Sequence, residues 1–307
     1  MTGKGTELRP LGPEAIAYGA ALILDGQPVA VPTETVYGLA ADATNAQAVA
    51  RIYQAKGRPS FNPLIVHVPD LAAARRLGTF DARAVALAQA HWPGPLTLVV
   101  PLAEGSGIAA LVTAGLPTIA LRVPAHPAMR ALLEASGRPL AAPSANASGR
   151  ISPTRASHVL HSLDGRIALV IDGGPTAHGI ESTILALTGG PPRLLRSGPI
   201  AVGDAVAAGT GIEAPGMLAS HYAPSKPLRL GALEARHDEY LIGFGPVAGR
   251  ASLSPSSDLI EAAARLFDLL HLAEAAPQPR IAVAPVPGSG LGAAINDRLA
   301  RAAAPRG

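Results

Sequence analysis

Two cations two residues apart, Lys56 and Arg58, lie between a threonine-rich loop and an apolar stretch that carries a histidine. The loop is Pro32-Thr33-Glu34-Thr35-Val36-Tyr37-Gly38-Leu39, the cations belong to Lys56-Gly57-Arg58-Pro59-Ser60-Phe61-Asn62-Pro63, and Leu64-Ile65-Val66-His67-Val68 follows. A polar loop, two cations and a histidine around one strand-helix-strand unit is a usual way to build an anion site on an α/β scaffold. The chain has twenty-two arginines and only three lysines, Lys4, Lys56 and Lys226. Where arginine is the default cation, a lysine signals a need for a compact, flexible point charge. The competing reading is a solvated lysine at a helix C-terminus, where the helix dipole favours it.

Two further segments carry chemistry. Period-two alternation places Thr118, Ala120 and Arg122 on one face of a strand and Ile119, Leu121 and Val123 on the other. The small Ala120 leaves room between a hydroxyl and a guanidinium, a shape that suits a bidentate carboxylate or phosphate; an edge-strand arginine paired with a surface acid is the alternative. Ser144 and Asn146 lie in Pro143-Ser144-Ala145-Asn146-Ala147-Ser148-Gly149. Hydroxyls, an amide and backbone N–H groups there could hold a phosphate, although an ordinary Ser/Asn-rich turn explains the same residues.

Other chemistries are excluded or disfavoured. There is no G-x-x-x-x-G-K-[ST] loop and no G-x-S-x-G elbow. Gly288-Ser289-Gly290-Leu291-Gly292 hints at a nucleotide loop, but the glycine spacing fits a tight turn better. No H-E-x-x-H or H-x-H cluster exists, and His158 and His161 are expected on a helix surface, not on a metal.

The elements that must position these residues follow a mixed α/β pattern without strict βαβ repetition. Strands are expected over residues 29–31, 64–68, 96–100, 118–123, 140–142, 168–171, 182–187 and 193–195. Helices are expected near 70–77, 81–90, 128–135 and 153–160. Thr44-Asn45-Ala46-Gln47 offers a capping box for another helix, which delivers Lys56 in its last turn before Gly57 stops it. Periodicity disappears around residues 210–225, which read as a linker. Beyond it, strands at 240–244 and 280–284 and helices at 259–272 and 293–303 make a small α/β domain. On the first of these helices Leu259, Ala263, Leu266 and Leu270 fit a core stripe or an interface, and a core stripe is expected.

The 307 residues are 48% apolar and 15% charged, enough for one large domain or two. The absence of cysteine excludes disulfides and thiolate metal sites and, with a polar stretch over residues 1–10, points to the cytosol. No apolar run approaches the roughly 20 residues of a membrane span; residues 15–24 come nearest. The net charge of +3 comes from scattered basic residues, and ten aromatics are too few for base-stacking platforms.

Taken together, the motifs resemble those of the YrdC-like threonylcarbamoyl-AMP synthases in their long, two-domain form. The resemblance is carried by Pro32 to Leu39; by Lys56-x-Arg58 with Ser144-x-Asn146; by Pro63-Leu64-Ile65-Val66-His67; by Gly179-Ile180-Glu181-Ser182-Thr183-Ile184; and by Pro215-Gly216-Met217 with His221-Tyr222-Ala223-Pro224. It implies a twisted mixed sheet with a concave active-site face over residues 1–209, a linker and active-site gate over 210–227, and a small Rossmann-like α/β domain over 228–307. The implied reaction joins L-threonine, bicarbonate and ATP into L-threonylcarbamoyl-AMP with release of pyrophosphate, for modification of tRNA beside the anticodon.

Carried over residue by residue, the family pattern assigns Thr35, His67, Arg122 and Ser182 to threonine. It assigns Arg58, Asn62, Thr118, Ser144, Asn146, Ser152, Arg196 and Tyr222 to ATP. Lys56 and Arg58 would face the carbamate and the α-phosphate as catalytic cations, and Mg²⁺ would arrive with ATP and not on a protein site. Glu34 is expected only to brace its loop. A tRNA threonylcarbamoyl-transferase complex would take the product, and a weak contact with tRNA itself stays open. The linker reads Leu218-Ala219-Ser220 where the family pattern has a basic residue, which argues against a cationic contact from there to the triphosphate. The main alternative is a non-catalytic module that binds double-stranded RNA or tRNA through phosphate contacts.

Overall fold

The computed structural model describes residues 5–58, 62–203, 205–207, 209, 213–216 and 220–305. Expectations for residues 59–61, 210–212 and 217–219, including Leu218 and Ala219 of the linker, lie outside the described residues. In chain order the elements are β1 (Glu7–Pro10), α1 (Pro13–Leu24), β2 (Val29–Pro32), β3 (Tyr37–Asp42), α2 (Ala46–Lys56), β4 (Ile65–His67), α3 (Leu71–Leu77), α4 (Ala82–His91), β5 (Leu96–Pro101), α5 (Ala110–Thr113), β6 (Thr118–Arg122), α6 (Pro127–Ser136), β7 (Leu140–Ala141), α7 (Ala156–Leu163), β8 (Leu169–Asp172), β9 (Thr183–Ala186), β10 (Arg193–Arg196) and β11 (Val206–Ala207). A second unit follows with β12 (Leu228–Arg229), β13 (Glu239–Gly243), β14 (Ala251–Ser252), α8 (Leu259–Ala275), β15 (Arg280–Val283) and α9 (Leu291–Ala303).

The first unit is a mixed sheet in the order β1-β8-β2-β3-β7-β4-β6-β5-β9-β10-β11, and the second is a parallel sheet in the order β12-β15-β13-β14. The mixed α/β class and the Rossmann-like character of the smaller sheet agree with the sequence reading. The simple strand-helix-strand unit does not. A hairpin partner, β3, stands between β2 and α2, and both β3 and β7 separate β2 from β4. All six β3 residues are buried, so they show no alternation that would reveal a strand.

Helix α2 forms where the capping signal lies, with the register one residue later. Asn45 accepts from the N–H groups of Gln47 and Ala48, while the Thr44 hydroxyl turns back to Asp42. Gly57 adopts φ 59° and ends the helix, leaving Lys56 in its last turn. Helix α7 starts at Ala156, three residues later than expected. The preceding stretch is tied down as extended chain: the Pro153 carbonyl accepts from Tyr37 N–H and the Thr154 carbonyl from Thr176 N–H. Residues 15–24 belong to α1, which buries Ala15, Gly19, Ala20 and Ile23 and packs on α6. Among the described residues no helix is long and apolar enough to cross a membrane.

Strand β6 divides its faces as alternation requires. Ile119, Leu121 and Val123 join the main core with α2, α3 and α4, whereas Ala120 joins Ile65, Val99 and Ile184 on the opposite side. The two units share an apolar cluster: Val36, Ile151, Ile180 and Tyr222 pack with Leu266, Phe267 and Leu270 of α8 and Leu299 of α9. Ala263, Leu266 and Leu270 of the expected stripe are therefore core residues, and the same helix forms the interface. His158 is also an interface residue, contrary to the expectation of a surface position, because its ring stacks on His271 at 3.8 Å. The Gly288–Gly292 segment is a tight turn: Gly290 precedes α9, and a Cβ on Gly292 would stand 1.9 Å from the Pro287 carbonyl oxygen.

Gly179 shows how closely the units meet. It adopts φ +68°, and a Cβ there would stand 2.3 Å from the Ala264 carbonyl oxygen of α8. Gly179→Ala is expected to destabilise the protein by about 2 kcal/mol or more, since both backbone strain and overlap oppose it. Thermal melting checks this; an unchanged midpoint would mean that the interface yields freely.

Candidate functional site

Thr33 shapes the first wall. Its hydroxyl oxygen accepts from the N–H groups of Thr35 and Val36, each at 3.2 Å, and donates to the Val36 carbonyl at 2.7 Å. This local turn presents Thr35 and Glu34 to β6. Arg122 donates from Nη1 to Thr35 Oγ1 at 3.0 Å, from Nη2 to Glu34 Oε1 at 2.6 Å and from Nε to the Gly94 carbonyl at 3.2 Å. Glu34 also accepts from the N–H groups of Ala125 and His126. Burial alone would raise the Glu34 carboxyl, but the adjoining Arg122 and these donors bring it down to about 2.

Parallel pairing of β4 with β6 sets His67 beside Arg122. Both ring nitrogens of His67 are buried without a partner among the described residues. Burial, reinforced by the Arg122 charge, pushes its pKa down to about 3, so the imidazole is neutral at physiological pH.

The opposite wall is cationic. Arg58 donates to the carbonyls of Asn62 and Pro63, and Arg196 donates to the carbonyls of Ser182 and Pro215 and to Ser182 Oγ at 3.0 Å. Lys56 directs its ammonium to the carbonyls of Ser144 and Asn146. Burial, then the nearby Arg58, lowers the Lys56 pKa well below its ordinary value. Among the described residues none of these three cations has a carboxylate partner within ion-pair distance. From the second unit, Arg298 of α9 donates to Glu181 Oε2 at 3.0 Å, and Glu181 Oε1 accepts from Ser152 Oγ at 2.5 Å.

These walls enclose a cavity of about 50 Å³, lined by Thr33, Thr35, Gly38, Arg58, Ile65, His67, Arg122, Pro143, Ser144, Glu181, Arg196, Pro215, Gly216, His221 and Tyr222 among others. Tyr222 holds φ 62°, rare for a bulky residue, and its ring is fully buried with a hydroxyl that has no partner among the described residues. Buried polar atoms of Asn62, Asn146, His221 and Arg298 also lack partners among the described residues. Native interiors rarely leave such atoms unsatisfied, and those of His67, His221 and Tyr222 belong to residues that line the cavity, which marks a place for a polar ligand.

Seven of the sequence candidates line the cavity: Thr35, Arg58, His67, Arg122, Ser144, Arg196 and Tyr222. Lys56 and Asn146 instead brace the adjoining loop, where Asn146 Nδ2 donates to the carbonyls of Ala147 and Arg150. Ser182 sits behind the wall, 2.8 Å from Thr97 Oγ1 and bonded to Arg196, while Ser152 holds Glu181. Asn62 contributes its carbonyl to Arg58, and Thr118 stands half-buried at the start of β6, outside the lining. The surfaces of Glu181, His221, Pro215 and Gly216 were within recognised motifs but not among the candidates. Arg298 was missed altogether. Its signal is a charged residue on the apolar stripe of α9 with Leu291, Ala294, Ile295 and Ala302.

Comparisons with known proteins agree with this architecture. A family model described as telomere recombination, for the Sua5, YciO and YrdC proteins, matches residues 21–198. A second, described as the C-terminal domain of threonylcarbamoyl-AMP synthase, matches residues 180–304. The threonylcarbamoyl-AMP synthase of Bacillus subtilis is 41% identical over 324 residues, spanning 95% of this chain and 93% of the relative. That of Pyrococcus abyssi is 45% identical over 228 residues, 68% of this chain and 66% of the relative. A crystal structure of P. abyssi Sua5 complexed with L-threonine superposes with a TM-score of 0.89 at 36% identity, covering 97% of this chain and 98% of that one.

Proposed function

The chain belongs to the threonylcarbamoyl-AMP synthase family, and from that premise we propose that it converts L-threonine, bicarbonate and ATP into L-threonylcarbamoyl-AMP and pyrophosphate. The observation that carries the reading is the set of three buried cations, Lys56, Arg58 and Arg196, with no carboxylate partner among the described residues. Burying an uncompensated cation costs several kcal/mol, so such a set is explained by a ligand that brings its own negative charges. A triphosphate does so.

In this proposal Thr35, His67 and Arg122 take threonine from the cavity wall, with Ser182 contributing from behind it. Arg122 meets the carboxylate while Glu34 and Gly94 fix the guanidinium plane, and neutral His67 can accept a proton from a substrate donor. Arg58, Asn62, Thr118, Ser144, Asn146, Ser152, Arg196 and Tyr222 take ATP, with several of them acting by holding the wall and not by lining it. Threonine's amine forms an N–C bond to bicarbonate carbon and a C–O bond breaks to release water, leaving a carbamate; one carbamate oxygen then forms the new bond to the α-phosphorus, and the bond to the β-phosphate breaks to release pyrophosphate. Both reactants are negative. Arg58, and Lys56 once it exchanges a loop carbonyl for a substrate oxygen, lower that repulsion where charge builds.

The donor set argues against a resident metal. Glu34 is committed to Arg122, and Glu181 to Arg298 and Ser152. Mg²⁺ is therefore proposed to enter with the triphosphate, whose charge it neutralises. A cavity of about 50 Å³ accommodates a few waters and not both substrates. Pro215, Gly216, His221 and Tyr222 must accordingly give way to admit ATP and then exclude water, a gating role for the 210–227 linker between a catalytic domain over 1–209 and a second domain over 228–307.

The product is proposed to pass, in the cytoplasm, to a tRNA threonylcarbamoyl-transferase complex, with at most a weak contact between this chain and tRNA. The non-catalytic RNA-binding alternative gains no support, because the relatives are synthases and a threonine-histidine-arginine trio closed within a cavity offers nothing to a duplex backbone. Pyrophosphate release by the purified protein should require ATP, L-threonine and bicarbonate together. Release indifferent to threonine or bicarbonate, or none at all, would overturn the reading.

A further inference from the structure

Arg298 is the largest fully buried side chain among the described residues and lies on the second unit's last helix. It touches two residues that line the cavity of the first unit. Its Nε donates to Glu181 Oε2 at 3.0 Å, and its guanidinium carbon lies 5.6 Å from the centroid of the Tyr222 ring, within cation–π range. Nη1 donates to Asp297 at 3.0 Å, and the buried Nη2 has no partner among the described residues.

Glu181 faces a choice between cations. It lines the same cavity as Arg58 and Arg196, neither of which has a carboxylate partner among the described residues. Without Arg298 it would be a buried anion with one hydroxyl donor, and the nearest relief would be to turn toward Arg196. That move would neutralise a cation which an anionic ligand needs.

We propose that Arg298 is a positioning residue whose task is to keep Glu181 away from Arg196, so that a guanidinium remains available to the nucleotide phosphates. The second unit thus sets the charge of the first unit's cavity without contacting substrate. The proposal rests on the ATP-dependent reading given above, so its test uses binding as well as turnover.

ATP affinity should be measured by calorimetry, and KM for ATP and for threonine by pyrophosphate release, on the full chain and on Arg298→Met, Glu181→Gln and the double variant. Arg298→Met is expected to weaken ATP binding and raise KM for ATP by about tenfold, with kcat and KM for threonine changed less than about twofold. Adding Glu181→Gln should restore most of the loss, because the competing carboxylate has gone. Arg298→Lys, which keeps the charge, should retain most of the affinity.

If Arg298→Met does not fold, the double variant carries the same test against Glu181→Gln alone, since it leaves no unpaired carboxylate at position 181. Equal ATP affinity in those two proteins supports the proposal. A loss of ATP affinity that persists in the double variant, or an equal rise in KM for threonine, overturns it. A wild-type protein that binds ATP but makes no threonylcarbamoyl-AMP would overturn the reaction assignment instead, leaving the affinity comparison intact.

Discussion

Replacing Arg58 with methionine is expected to lower turnover on the order of a hundredfold or more while leaving the melting temperature unchanged or higher. The two effects separate because Arg58 is costly to the fold. It is buried, its hydrogen bonds among the described residues go to the carbonyls of Asn62 and Pro63 and to no carboxylate, and it stands among Lys56 and Arg196 of like charge. An apolar residue of similar length removes that desolvation and repulsion, and such replacements of buried charges are often neutral or stabilising by about 1–4 kcal/mol. The Asn62 carbonyl also keeps a donor, the Tyr53 hydroxyl at 3.0 Å. Pyrophosphate release at saturating substrate, set beside a thermal melt, checks both halves. Wild-type turnover, or a loss of activity that merely follows a loss of folded protein, would remove Arg58 from the chemistry.

Glu34→Ala should act in the opposite sense, costing about 3–5 kcal/mol of stability by leaving Arg122 buried without its carboxylate. The gentler Glu34→Gln exposes the pH dependence. The folded carboxyl titrates at about 2 against an ordinary 4.5. A group made more acidic by folding contributes stability that is fully present above the ordinary value and is lost as pH falls toward the folded one. The contribution is about 3 kcal/mol at neutral pH and fades between roughly pH 4.5 and pH 2. Urea titrations at pH 7 and pH 3 should therefore show the gap between wild type and Glu34→Gln narrowing in acid. A gap of constant size would mean that the Arg122 ion pair is not its source. Threonine KM should rise in both variants, because Arg122 loses the partner that fixes its plane.

Much of this was legible in the chain because it depends on neighbours in sequence. Gly57 ends α2 and places Lys56, and alternation along β6 separates Arg122 from Leu121. Local pattern could not show β3, since burial of both its faces erases the period of two. It also identified Lys56 as unusual without revealing that its ammonium turns to the carbonyls of Ser144 and Asn146, some ninety residues away. The same distance hid Arg298, which meets Glu181 across 117 residues of chain. His158 looked like a surface residue because nothing near it in sequence announces His271. What a side chain faces is set by topology, and topology follows from the summed packing of elements that no single motif contains.

The apolar cluster joining Val36, Ile151, Ile180 and Tyr222 to α8 and α9 also limits how the molecule can breathe. Domains swing about a hinge when the surface between them is small and wet, whereas here parting them would expose a continuous oily seam and break the Arg298–Glu181 pair. An opening that leaves this seam and the Arg298–Glu181 pair intact is smaller than a domain, the motion of a short stretch of backbone peeling from a fixed wall.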